Sequence, residues 1–204
     1  MIVQWCCKGM PGLSQNHVRH ILLDGEGILC AHWHNAKSTP AKRAPLPVAE
    51  ALDRLSEWDL DQHLHNFAAV RSTTAFISLS AGCVSRDTAL RKNIRHPARL
   101  TALDFATKAG STQGWIFTCY VFVGINPAPE VSAVAEEVRE LNHARPYSPY
   151  YTEGEVAAKL HVPSRQILSA EEWTPDGSGG FGVRAFLNPR FVSPRPLVNE
   201  RASL

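Results

Sequence analysis

This sequence predicts an α+β domain, on three observations. Strand-like and helix-like segments interleave along the whole chain, so it is neither all-helical nor all-β. The two kinds do not alternate in the even rhythm of a parallel sheet, and no glycine-rich turn of the dinucleotide-binding type is present. The most hydrophobic stretch, GWIFTCYVFVGI from Gly114 to Ile125, is rich in β formers and too short to cross a bilayer, which makes it the candidate central strand.

Each element follows from local chemistry. IVQW at the start reads as a short strand. SQNHVRHILLDGEG reads as a helix capped by Ser14 and stopped at Gly25. GILCAHWH looks like a second short strand, and Asn35 to Pro47 is a loop by its prolines and small polar residues. VAEALDRLSEWDLDQHLHNF carries apolar residues at helical spacing, with a break near Trp58. TTAFISLSAG has the content of a buried strand, and PARLTALDFATKAG that of an amphipathic helix closed at Gly110. After the central strand, EVSAVAEEVREL is expected to be a helix, and RQILSAEEW a further strand. Residues 1–173 are expected to form one domain, with a Gly/Pro-rich C-terminal extension over 174–204 that packs on it.

The totals describe an ordinary globular protein: 204 residues, 44% hydrophobic, 20% charged, formal net charge +2. That charge argues neither for nor against a nucleic-acid partner. No segment approaches the ~18 apolar residues of a membrane span, so no membrane partner is expected. MIVQWCCKGM lacks the pattern of a signal peptide, and the five cysteines have no metal-ligand spacing. Free thiols in a reducing cytoplasm are the expectation.

YYTEGEV, ahead of a β-type run, places Glu153 and Glu155 one residue apart. In an extended segment both would face one way, and such a like-charged pair costs stability unless something uses it. The order of FISLS, the central strand and then YTEGEV resembles the mono-ADP-ribosyltransferase toxin family, of the cholera-toxin and pierisin-like type. Ser78-Leu79-Ser80 looks like that family's Ser-Thr-Ser motif, with Leu79 in place of threonine, and Glu153-Gly154-Glu155 looks like its Glu-x-Glu motif. The likeness spans Thr73 to Trp173.

The resemblance implies two packed, bent β-sheets with flanking helices around an NAD cleft, and transfer of ADP-ribose from NAD with release of nicotinamide. NAD would be substrate, and no metal would be needed. Glu155 would steady the positive charge on the ribose, Glu153 would orient or deprotonate the acceptor, and Ser78 would hold Glu155. Ser80, Trp5, Lys8, Arg86 and Tyr151 would bind NAD, with Arg91 beside Arg86 near the pyrophosphate. Tyr147 and Tyr150 would recognise the acceptor. The family's first strand offers an arginine or histidine after an aromatic residue, whereas Cys6 and Cys7 follow Trp5 here. Lys8, His32 and His34 are the alternatives for that cation. The implied partners are a protein or nucleic-acid acceptor and an antitoxin or immunity protein, for a toxin acting inside cells.

A rival reading takes His32-x-His34 and His63-x-His65 as metal-binding pairs of a hydrolase, with Glu153 or Asp61 as a further ligand or base. A catalytically silent binding module is a third.

Overall fold

The structure, a computed structural model, describes residues 2–35, 52–81, 83–84, 95–96, 98–124, 135–136, 154–194 and 199–200. The chain runs β1 (Ile2–Pro11), α1 (Gln15–Leu22), β2 (Ile28–Leu29), α2 (Ala31–Asn35), α3 (Glu57–His65), α4 (Phe67–Val70) and β3 (Phe76–Ser80). It continues through β4 (Cys83–Val84), β5 (Arg95–His96), α5 (Ala98–Thr107), β6 (Gly114–Gly124) and β7 (Ala135–Glu136). β8 (Glu155–Lys159), β9 (His161–Val162), β10 (Ile167–Pro175), β11 (Phe181–Leu187) and β12 (Asn199–Glu200) follow. The fold is α+β, as the sequence predicts.

An eight-stranded sheet in the order β11-β10-β6-β7-β8-β3-β1-β12 dominates. β1 also pairs antiparallel with β6, from Ile2↔Val123 to Pro11↔Gly114. The pairings therefore close a ring, β1–β6–β7–β8–β3–β1, and the sheet bends back on itself. The long strands β1, β6, β10 and β11 make one half, and β3 with β8 the core of the other. Cys7↔Ser80 is the pair that ties β1 to β3. Between the halves lies the main apolar core, with Cys6, Trp115, Phe117 and Val121 from one side and Ile77, Leu79, Val156 and Ala158 from the other. Burial of each large side chain there contributes roughly 1.5–3 kcal/mol.

α1 begins where the sequence places it: the Ser14 hydroxyl accepts from the His17 N–H at 3.2 Å, and Val18, Ile21 and Leu22 are buried at helical spacing. α5 lies across the outer face of β1 and β6, with Ala98, Ala102 and Ala106 inward against Cys7 and Ile116. The small stripe permits close approach. A Cβ on Gly9 of β1 would stand 2.0 Å from the Ala102 carbonyl oxygen, so only glycine fits there.

Four expectations change. The first strand does not stop at Trp5 but runs to Pro11, because β6 supplies a partner along its whole length. GILCAHWH is a strand only at Ile28–Leu29 and turns into α2 from Ala31. In the segment expected to be a helix, Ala135–Glu136 form β7, parallel to Val123–Gly124; the rest of that segment lies outside the described residues. Pairing also continues past residue 173: β10 reaches Pro175 and forms a hairpin with β11, with Trp173 opposite Val183. No helix among the described residues is long and apolar enough to cross a membrane.

Candidate active site

Ser78 and Ser80 project from one face of β3 by the period-two rule, and antiparallel pairing sets Ser80 directly opposite Glu155. Ser78 is then the diagonal neighbour of Glu155, within hydrogen-bonding reach across the ladder. Glu155 opens β8. Gly154 before it has φ 60°, a left-handed conformation that favours glycine, and its carbonyl accepts from the Ala81 N–H at 2.8 Å. The extended run that would align Glu153 with Glu155 is thus broken at Gly154, and Glu153 itself lies outside the described residues.

Two further side chains converge on this pair. Lys8 of β1 reaches across the seam, and its Nζ donates to the Ser78 carbonyl oxygen at 2.8 Å. His63 arrives from α3, whose start is fixed by a capping box between Ser56 and Asp59. Leu60, His63 and Leu64 are the buried residues of that helix, and their spacing turns His63 into the core. The His63 Nε2 lies 2.8 Å from the Ser78 Oγ and 3.6 Å from a Glu155 carboxylate oxygen, while its Nδ1 lies 2.9 Å from the Thr74 Oγ1. Phe67 and Phe76 pack against the imidazole, with ring centroids 5.5 and 5.7 Å away.

The Glu155 side chain is only 12% exposed. Burial alone would push its carboxyl up, but the neighbouring His63 ring, the Ser78 side chain and the charge of Lys8 outweigh it and hold the pKa below the ordinary value. Burial pulls the Lys8 ammonium down, against the opposing effect of Glu155. The result is a carboxylate that stays ionised at neutral pH, nearly enclosed, with fixed donors behind it. Such a group stabilises positive charge developing in front of it and is unsuited to giving up a proton as a general acid.

Of the site residues expected from sequence, Ser78, Ser80, Glu155 and Lys8 come together. Trp5 is on the other side of β1: it packs edge-on to Tyr120 at 5.8 Å and beside Phe191 at 6.0 Å, against the cluster beneath α5. Glu153, Arg86, Arg91, Tyr147, Tyr150 and Tyr151 lie outside the described residues. His63 and Thr74 complete the cluster without having been expected there.

The His-x-His pairs do not form metal sites of the expected kind. His63 and His65 are on a helix, where residues two apart do not share a face: His63 is buried and His65 is exposed, 3.7 Å from Asp61. His32 and His34 lie in α2 rather than on a strand, and the His34 ring stacks on His17 at 5.7 Å. Among the described residues no group of three or more His, Cys, Asp and Glu side chains is placed to hold a metal ion.

No protein-family model matches the chain, and no curated protein matches its sequence. Among solved structures, the chain is similar to EcPltA at 14% identity and a TM-score of 0.47, over 94% of this chain and 89% of that one. It is also similar to a mutant of E. coli heat-labile enterotoxin, at 13% identity and a TM-score of 0.45, over 91% and 76% of the two chains. The catalytic domain of the mosquitocidal toxin from Bacillus sphaericus is similar at 12% identity and a TM-score of 0.43, over 97% and 63%.

Proposed function

We propose that the protein is a mono-ADP-ribosyltransferase that uses NAD as substrate. The observation that carries this reading is the Glu155 carboxylate, kept ionised and nearly enclosed by Ser78, His63 and Lys8. Cleavage of NAD breaks the bond between the nicotinamide nitrogen and the ribose, and the electron pair leaves with the pyridine ring. The sugar then carries an oxocarbenium-like charge, as in glycoside hydrolysis, and a fixed carboxylate lowers the energy of that state.

Within this reading Glu155 is the catalytic carboxylate, and Ser78 and His63 hold its orientation. Lys8 takes the place of the first-strand cation, because it is the candidate that reaches Ser78 and Glu155, whereas His34 packs on His17. Glu153 remains the candidate to take the acceptor's proton as the acceptor oxygen or nitrogen bonds to the ribose carbon. Ser80, Arg86 and Tyr151 remain candidates for NAD binding, and Tyr147 and Tyr150 for acceptor recognition. Action inside cells as a toxin, with an antitoxin or immunity partner, belongs to the same reading. The buried thiols Cys6, Cys7, Cys30 and Cys119, in no disulfide among the described residues, suit a reducing compartment.

The test is incubation of the purified chain with NAD and measurement of nicotinamide release, alongside the Glu155→Gln variant. Release that depends on Glu155 supports the reading; NAD left intact and unbound overturns it. Labelled NAD in a cell extract, with separate protease and nuclease treatment of the product, assigns the acceptor to protein or nucleic acid.

A further inference from the structure

The buried His63 ring is held at both nitrogens, and its partners differ in what they can donate. The Thr74 Oγ1 lies 2.9 Å from Nδ1 and already accepts the Phe76 backbone N–H at 3.2 Å. A threonine hydroxyl carries one hydrogen, and a buried hydroxyl with no acceptor for it costs about 1–3 kcal/mol. Thr74 is 8% exposed, and among the described residues its hydroxyl hydrogen has no acceptor besides His63. If Nδ1 carried the ring proton and donated to Thr74, that hydroxyl hydrogen would be stranded. The reverse polarity satisfies every group: Thr74 donates to Nδ1, the ring proton sits on Nε2, and Nε2–H donates toward the Ser78 Oγ at 2.8 Å. The Ser78 hydroxyl, having accepted from His63, then has its own hydrogen available for Glu155, its diagonal neighbour across the β3–β8 ladder.

We propose that Thr74 is a positioning residue that fixes the Nε2–H tautomer of His63, so that a one-way chain of donors, Thr74 to His63 to Ser78, ends on Glu155. The chain runs from the turn before β3, through α3, back to β3 and across to β8. It uses Thr74, whose hydrogen bonds among the described residues go to His63 and Phe76 and not to Glu155, to set the direction of the last hydrogen bond. With the opposite tautomer Nε2 would accept the Ser78 hydroxyl hydrogen, and the carboxylate would lose that donor. The tautomer assignment stands on the hydrogen bonds alone, while its catalytic consequence rests on the transferase reading above.

The experiment is histidine-labelled full-length protein observed by long-range nitrogen–proton NMR, well above the ordinary imidazole pKa of about 6.5. The wild type is expected to show His63 as the Nε2–H form. Thr74→Val, which keeps the shape and removes the hydroxyl, is expected to shift the ring toward Nδ1–H or a mixture, and Thr74→Ser to restore Nε2–H. Wild-type His63 found as Nδ1–H, or a Thr74→Val ring unchanged from wild type, overturns the proposal. The wild-type spectrum decides even if Thr74→Val fails to fold.

Nicotinamide release gives the second readout. Thr74→Val is expected to lower kcat roughly tenfold to a hundredfold with little change in the KM for NAD, and Thr74→Ser to recover it. A Thr74→Val loss confined to KM counts against the proposal. The NMR measurement needs no NAD, so an enzyme that leaves NAD intact would defeat the transferase reading while the tautomer is judged separately.

Discussion

Lys8 on β1 donates from Nζ to the carbonyl oxygen of Ser78 on β3 at 2.8 Å, across the seam where the two strands meet at Cys7↔Ser80. That contact joins the two halves of the bent sheet at the point where Glu155 stands. It also holds the Lys8 charge near the Glu155 carboxylate, where it helps keep that group ionised. The cluster is built on strands and the last turn of a capped helix, which hold side chains more rigidly than loops do.

Glu155→Gln is expected to fold normally and to lose nicotinamide release by roughly a hundredfold to a thousandfold, the scale for removing one preorganised electrostatic contact to a transition state. The neutral amide keeps the size of the side chain and removes its charge. A steady-state assay with a denaturation curve beside it checks both halves. Retained activity would remove Glu155 from the chemistry.

The strands that carry Ser78, Ser80 and Glu155 were legible in the sequence because strand composition is a local signal. The residues themselves were singled out by the resemblance of their order to the toxin family. That Ser80 faces Glu155 came only from antiparallel register. His63 was not legible as part of this site: with His65 two residues on, it has the look of a metal pair, and only the burial of Leu60, His63 and Leu64 on one helix face separates them. Thr74 sits eleven residues later, in a turn that no local pattern marks. The length of β1 was hidden as well. Gly9 and Pro11 are poor strand formers, yet pairing with β6 and packing under α5 hold them there, so tertiary contacts override propensity.

Gly9→Ala tests that packing. The added Cβ would lie 2.0 Å from the Ala102 carbonyl oxygen, an atom of a helix backbone that cannot swing aside as a side chain does. α5 must lift from the sheet, at a cost of about 3 kcal/mol or more, the upper range for overpacking. A lowered midpoint in chemical denaturation is expected, and an unchanged midpoint would mean that α5 is not fixed on β1.

His161 makes the fold acid-sensitive. Its Nε2 meets the Glu26 carbonyl oxygen at 2.7 Å, Trp33 packs edge-on against it, and burial pulls its pKa from 6.5 to about 4. The folded value lies below the unfolded one, so the unfolded chain binds more protons in between. Stability is therefore full above about pH 6.5 and falls as the pH drops toward 4, by at most roughly 3 kcal/mol from this group. Denaturation midpoints measured across that window should decline in the wild type and decline less in His161→Gln.

The thiols are expected to be unreactive in the folded state. Cys6 and Cys119 are fully buried with their sulfurs 3.6 Å apart, and burial pushes the Cys7 thiol up to about 12. Burial also raises Cys30. A thiol-titrating reagent applied to a Cys83→Ser variant should find almost no fast sites in native buffer and all four after unfolding. Fast reaction of any of them in native buffer would show that the core opens.

In the transferase reading, Lys8 and Glu155 are expected to set the pH range of activity. Glu155 must be ionised, and its pKa lies below the ordinary 4.5, so the acid limb of the kcat/KM profile should fall at acidic pH and leave neutral pH on the plateau. Deprotonating Lys8 removes the positive charge beside Glu155 and weakens the bond to Ser78, and its pKa lies below the ordinary 10.5, so an alkaline limb should appear earlier than for an exposed lysine. Lys8→Arg, whose guanidinium does not deprotonate in this range, should push that limb out of reach if its larger head fits the seam. Lys8→Met should lower activity at every pH, because the Ser78 carbonyl loses its donor and Glu155 its neighbouring charge. An alkaline limb that stays in place in Lys8→Arg would assign it to another group and take Lys8 out of the site.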